Sequence, residues 1–168
     1  MLHIVLYHPE IPQNTGNILR TAAAINAHVH IIGPVPFRID EKSLRRAGMD
    51  YIDERNFTLY DSYEQFNRIH PADSIYYITR YGHHIYTQKD FSSPLEDYYL
   101  MFGRESTGID YEILKAHLAR TLRIPMRSTA RSLNLANAVA IVCYEALRQQ
   151  NFAGLATQEQ LKGPDFLK

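Results

Sequence analysis

The chain is short of several things, and each shortage excludes a class of protein. It has one cysteine, Cys143, set in an apolar helical run. No disulfide framework can form within it, and a reducing cytoplasm fits. No apolar run approaches the roughly 20 residues of a membrane span. Residues 1–7 lack the basic start and long apolar stretch of a secretory signal, so a cytoplasmic protein without membrane contact is expected. There is no excess of either charge: 18 Lys and Arg face 18 Asp and Glu. A broad electrostatic grip on nucleic acid is therefore not available, and any such site must be a local patch. The candidate patches are Lys42, Arg45 and Arg46 together, then Arg104, then Arg127 and Arg131.

A glycine-rich phosphate loop is missing too. After the first apolar run comes His8-Pro9-Glu10-Ile11-Pro12-Gln13-Asn14. A dinucleotide fingerprint needs G-x-G-x-x-G there, so that backbone can approach a pyrophosphate. Two prolines instead remove N–H donors and stiffen the loop. A nucleotide cofactor gripped at this turn is not expected. Metal binding is the minority reading. His83 and His84 point to opposite faces of any strand, and His28 and His30 share a face without Cys or carboxylate partners at ligand spacing. The twelve tyrosines read as core and interface residues before base-stacking platforms.

At 168 residues and 45% hydrophobic content the chain is most simply one domain, 1–168, with a core over about 2–154 and an irregular tail. Apolar runs of strand length fall at residues 4–7, 29–32, 75–79, 99–102 and 121–124. Helical patterns lie between most of them: the Ala-rich residues 17–27, a segment to about Ile69 opened by the capping box Asp61-Ser62-Tyr63-Glu64, residues 111–118 after Asp110, and the long apolar residues 133–149. Alternating strands and helices predict an α/β fold with a mainly parallel sheet flanked by helices.

Ligands of such sheets bind beyond the carboxyl ends of the strands. Three polar motifs begin there. Asn14-x-x-Asn17-x-x-Arg20 follows the first strand, Gly103-Arg104-Glu105-Ser106-Thr107-Gly108 the fourth, and Ser132-Leu133-Asn134-Leu135-Ala136-Asn137 the fifth. One Ser or Asn would cap the last helix; the cluster needs a further reason. Spacing alone also fits an Asn cap with a surface arginine, and an ordinary strand-to-helix turn. Their convergence on one sheet edge is what argues for a site.

Together the three motifs resemble the signature motifs of the SPOUT RNA methyltransferases, over nearly the whole chain. The resemblance implies a deep trefoil knot at the C-terminal end and S-adenosylmethionine as cofactor, with S-adenosylhomocysteine as product and no metal. Its cofactor positions fall on Ile78, Gly103, Ile124, Ser132 and Leu133. Its catalytic positions fall on Arg20, Glu105 and Asn134. RNA contacts would come from Asn14, Asn17, Lys42, Arg45, Arg46, Arg127 and Arg131. The arginine matching Arg20 lies at the ribose. Guanidinium is effectively always protonated, so binding the adjacent phosphate and stabilising the forming oxyanion is a milder role than base; the proton acceptor stays open. Glu105 could bind a polar ligand group or pair with Arg20 or Arg104, and Arg104 stands where relatives often carry proline.

The small stand-alone branch of the family further implies a homodimer joined through the last helix. It implies the wobble nucleotide of the tRNA anticodon loop as substrate, a cytidine or uridine derivative at position 34, in leucine isoacceptors. The alternatives are another RNA, such as ribosomal RNA, or a SAM- or RNA-binding assembly factor without catalysis.

Overall fold

The computed structural model describes residues 1–39, 56–70, 74–163 and 165–166. Seven strands run β1 Leu2–Tyr7, β2 His28–Ile32, β3 Phe57–Tyr60, β4 Ile75–Ile78, β5 His84–Ile85, β6 Tyr98–Phe102 and β7 Thr121–Arg123. Among the described residues, four α-helices lie between them: α1 Pro12–Ala24, α2 Tyr63–Ile69, α3 Tyr111–Ala116 and α4 Leu135–Gln149. The strands form one sheet in the order β3-β2-β1-β6-β4-β7-β5, and every pairing is parallel. The α/β expectation holds. Two strands go beyond it, β3 and β5; β5 is two residues long with an exposed pattern, too little for an apolar run to reveal.

A parallel sheet covered on both faces buries successive residues on opposite sides. Ile4, Leu6, Leu100 and Phe102 enter the core under α1 and α4. Val5, Tyr7, Tyr77 and Met101 enter the core on the other face, with Phe66 of α2 and Leu114 of α3. Helix α4 spends most of its apolar run inside the chain: Ala136, Val139, Val142 and Cys143 are buried, whereas Ile141 and Tyr144 are exposed. Burial pushes the Cys143 thiol up to about 12, so it stays an unreactive thiol.

Helix starts differ from the sequence reading by local chemistry. The cap of α2 is Ser62, whose hydroxyl accepts from Gln65 N at 3.3 Å while Gln65 Oε1 accepts from Asp61 N at 2.6 Å. The box therefore closes on Gln65 rather than Glu64. Asp110 precedes α3 but makes no capping bond; its carboxylate accepts from Arg104 and Tyr7 instead. Helix α1 starts at Pro12, where a missing N–H costs nothing, five residues before the expected start.

Residues 79–83 carry the chain from one side of β7 to the other, since β7 pairs with both β4 and β5. Gly82 lies against the β7 backbone there: a Cβ on it would sit 2.4 Å from the Leu122 carbonyl carbon. No side chain fits that crossing.

Candidate active site

The carboxyl ends of β4, β6 and β7 and the start of α1 and α4 enclose a cleft of about 910 Å³. All three motifs reach it, through Asn14, through residues 103–108 and through residues 131–135. The loop after β6 turns back on itself: Gly108 N donates to Arg104 O at 2.9 Å, and a Cβ on Gly103 would lie 2.2 Å from the Gly108 carbonyl carbon. Glycine is required at 103 for that approach.

A continuous set of hydrogen bonds ties the motifs together. Glu105 accepts from Glu10 N at 2.9 Å, from Ile11 N at 3.3 Å and from Asn14 Nδ2 at 2.9 Å. Ile11 begins α1 without a side-chain cap of its own, so Glu105 satisfies the helix start from 94 residues away. A carboxylate suits that position, because unpaired N–H groups and the helix dipole both favour negative charge. Asn14 Oδ1 then accepts from Asn134 Nδ2 at 3.0 Å, and Asn134 Oδ1 caps α4 by accepting from Ala136 N and Asn137 N. Glu10 returns the first contact: it accepts from Ser106 N at 2.9 Å and Ser106 Oγ at 2.8 Å. Two carboxylates thus each hold the other's loop.

These bonds revise several expectations. Glu105 engages the start of α1 and Asn14, while Arg104 pairs with Asp110 at 2.7 Å and lies 5.2 Å from the Tyr7 ring centroid. Asn14 lines the cleft but is 6% exposed, with both ends of its amide engaged by Glu105 and Asn134. Asn17 and Arg20 are exposed on α1 and lie outside the cleft lining. Residue 20 is turned by about 120° and displaced by about 9 Å along the helix from residue 14, so one helix sends the three polar residues to different surroundings. Ile78, Gly103, Ile124, Ser132 and Leu133 all line the cleft. Arg131 lines it and Arg127 is exposed beside it in sequence. Lys42, Arg45 and Arg46 lie outside the described residues.

The charges that face the cleft are Arg80, Arg104 and Arg131 against Glu105. A neutral chain therefore presents a locally cationic lining, although Asp110 offsets Arg104. Below it, burial and the bond to Asp110 push the Tyr7 hydroxyl up to about 12, so Tyr7 stays protonated as a donor. Burial and the nearby Arg104 push His8 below its ordinary value. Sequence reasoning missed Glu10, whose partner is 96 residues away, and the wall formed by Thr79, Arg80, Tyr81 and Tyr111. The rule about strand ends flagged the other motifs and applies equally to residues 79–81 after β4.

The residues present fit S-adenosylmethionine. Ile78, Ile124, Leu133 and Ala138 give an apolar floor, and Ser106, Thr107, Ser132 and Asn134 a polar rim, the composition of a small-molecule pocket. Leu133 is 40% exposed into this space. No group of three or more His, Cys, Asp or Glu able to hold a metal occurs among the described residues.

An all-parallel sheet with a cleft at its carboxyl edge is the setting of many α/β enzymes; among them, the chain is a SPOUT methyltransferase. Comparison with known proteins narrows this: the chain belongs to the SpoU rRNA Methylase family, which matches residues 1–144. A relative in Escherichia coli (strain K12), named tRNA (cytidine(34)-2'-O)-methyltransferase, is 41% identical over 160 residues, 95% of this chain and 100% of its own. A solved structure concerned with 2-OH methylation of C/U34 on tRNA superposes with a TM-score of 0.80 at 42% identity, covering 90% of this chain and 97% of the other. The SpoU methyltransferase AviRb of Streptomyces viridochromogenes, in complex with AdoMet, gives a TM-score of 0.75 at 26% identity, covering 92% of this chain and 59% of the other.

Proposed function

We propose that this chain transfers a methyl group from S-adenosylmethionine to the ribose 2′-oxygen of the wobble nucleotide, cytidine or uridine at position 34, in the anticodon loop of tRNA, with leucine isoacceptors as the first substrates to test. The observation that carries the reading is the junction of three distant motifs, Glu105 to Asn14 to Asn134, at the wall of one cleft. Single-stranded loops suit such a site because their bases unstack and expose the 2′-hydroxyl.

S-adenosylmethionine would supply the methyl group from its sulfonium, and Ile78, Gly103, Ile124, Ser132 and Leu133 would hold it. Glu105, Asn14 and Asn134 keep the loops around the reacting atoms in one geometry, the positioning on which an in-line displacement depends. Arg20, exposed on α1, binds the phosphate next to the target ribose and stabilises negative charge on the 2′-oxygen as its proton leaves. Asn17, Arg127 and Arg131, with Lys42, Arg45 and Arg46, contact the flanking backbone.

Two further features complete the proposal. The C-terminal segment closes the family's deep knot, otherwise nearly absent from proteins. Its support is the crossing of residues 79–83 over β7 and the bonds that Gln149 and Gln150 of α4 make to residues 89–91. The protein works in the cytoplasm as a homodimer through the exposed Ile141 and Tyr144 of α4. Ile141→Asp should give a monomer by sedimentation, since an unpaired charge in a dry interface costs several kcal/mol; a wild type that sediments as a monomer at micromolar concentration removes the dimer. Mass spectrometry of nucleosides from tRNA treated with the protein and S-adenosylmethionine should show 2′-O-methylcytidine or 2′-O-methyluridine derivatives at position 34. A methyl on a base, or on ribosomal RNA alone, overturns the substrate.

A further inference from the structure

One wall of the cleft belongs to none of the three motifs. Arg80 and Tyr81 follow β4, and Tyr111 opens α3 from the other side. The rings of Tyr81 and Tyr111 meet at 80° with centroids 5.7 Å apart and hydroxyls at 3.4 Å. The Arg80 guanidinium lies 5.7 Å from the Tyr81 ring centroid and makes no ion pair among the described residues. The turn that carries them is held by its backbone: Gly82 N donates to Thr79 O at 3.1 Å, and Arg123 Nη1 to Arg80 O at 2.9 Å.

Exposure inside the cleft sets these two rings apart. Tyr7, Tyr60, Tyr76, Tyr77, Tyr98 and Tyr99 are buried, whereas Tyr81 is 54% and Tyr111 58% exposed while lining a concave site. Two amphipathic rings beside a guanidinium form the pattern that receives an unstacked base and its phosphate.

We propose that Tyr81 and Tyr111 are the platform on which the base of the target nucleotide stacks, with Arg80 at the adjoining phosphate. The inference rests on the methyl-transfer reading and adds to it the part of the site that receives the base. Stacking tolerates any base with a π-face, so it admits both pyrimidines without hydrogen-bond readout. It also fixes the nucleotide at a rim distinct from the apolar floor of Ile78, Ile124 and Leu133.

The test uses the full chain, S-adenosylmethionine and an anticodon stem-loop RNA. Tyr81→Ala and Tyr111→Ala should each raise KM for the RNA about 10-fold, the scale of one lost base–aromatic stack. Tyr81→Phe should stay close to wild type, because the ring and not the hydroxyl carries the contact. Calorimetry with S-adenosylhomocysteine should give the same Kd in all variants, and thermal melting should be unchanged. A fluorescent base at the wobble position should be quenched by wild type and recover with Tyr81→Ala. Unchanged KM in both alanine variants overturns the platform. So does a parallel loss of S-adenosylhomocysteine affinity, which would place the rings at the cofactor, or a Tyr81→Phe as damaging as Tyr81→Ala. A wild type inactive on both the stem-loop and bulk tRNA removes the methyl-transfer reading and this inference with it; an active wild type with unaffected variants removes the platform alone.

Discussion

The cleft and the histidine cluster on the α2 face of the sheet are built from the same material and put to different use. Each is a chain of polar side chains that links segments far apart in sequence. Around the cleft the links run from Glu105 through Asn14 to Asn134, and each bond leaves open space beside it. In the cluster, His3 Nδ1 meets His30 Nε2 at 3.0 Å, His30 Nδ1 meets the Tyr60 hydroxyl at 2.9 Å, and that hydroxyl meets His70 Nε2 at 3.1 Å. Ring packs on ring there: His3 stacks on Tyr99 with centroids 4.3 Å apart, and His30 is 4% exposed. His3 and His30 are filled in by neighbouring rings rather than facing the cleft.

Titration separates the two regions further. Burial, reinforced by His3, His28 and His70, pushes His30 down to about 3. Burial also lowers His3, His28 and His70. Strongly shifted groups often mark active sites, yet here the largest downward shift of a histidine lies in a packed cluster and the cleft holds ordinary amides and a saturated carboxylate. A shift by itself therefore does not locate the site, which the converging motifs and the cleft do. In the cluster, burial favours the neutral imidazoles, which bond to one another and to Tyr60.

The sharpest way to break this contrast is Arg20. Arg20→Ala should lower turnover about 10²-fold or more, the scale of one lost electrostatic stabiliser. Arg20 is exposed, so melting should hardly move and S-adenosylhomocysteine should bind as before. Arg20→Lys should rescue poorly, because an ammonium lacks the planar fork. Wild-type turnover in the alanine variant would reduce Arg20 to a surface residue and leave the oxyanion to the arginines that line the cleft.

The opposite dissociation is expected at the cluster. The folded-state values of these histidines lie below the unfolded value of 6.5. Between about 3 and 6.5 the unfolded chain binds the proton that folded His30 refuses. Stability is thus fully present above 6.5 and falls as pH drops below it. His30 alone gives a slope of about 1.4 kcal/mol per pH unit. Glu64, Asp97 and Glu145 also have lowered values, but they act below their ordinary values near 4. Urea denaturation between pH 7.5 and 5 isolates the histidines. His30→Gln should flatten the slope and leave the KM for RNA unchanged. A wild-type stability independent of pH over that range would show that the imidazoles carry protons in the folded state.

How much of this was legible in the sequence depends on the range of each interaction. The parallel sheet was, because strands buried on both faces read as apolar runs; β5 was not, because His84 and Ile85 are exposed. The convergence of the three motifs followed from a rule about strand ends and holds for Asn14, Gly103 and Ser132. Partners were not legible. The bonds of Glu10 to Ser106 and of Asn14 to Asn134 span 96 and 120 residues, and no local pattern encodes them. Histidine alternation at 28 and 30 was visible in the sequence, but His3 and His70 join only through the sheet register and the packing of α2.

Asn134 gives the smallest and most discriminating effect, because it does two jobs with two atoms. Its Oδ1 caps α4, accepting at 2.9 Å and 3.3 Å, and its Nδ2 donates to Asn14 at 3.0 Å. Asn134→Ala removes both and should cost about 1 kcal/mol, the usual worth of a helix cap. Asn134→Ser keeps an oxygen that can cap but has no amide to reach Asn14, so most of that stability should return. If the link between motifs holds the cleft, Asn134→Ser should still lose cofactor affinity as Asn134→Ala does, whereas stability separates the two variants. If Asn134→Ser instead recovers both melting temperature and S-adenosylhomocysteine binding, the residue is a cap alone, and the cleft draws its order from the Glu10 and Glu105 clasp without it.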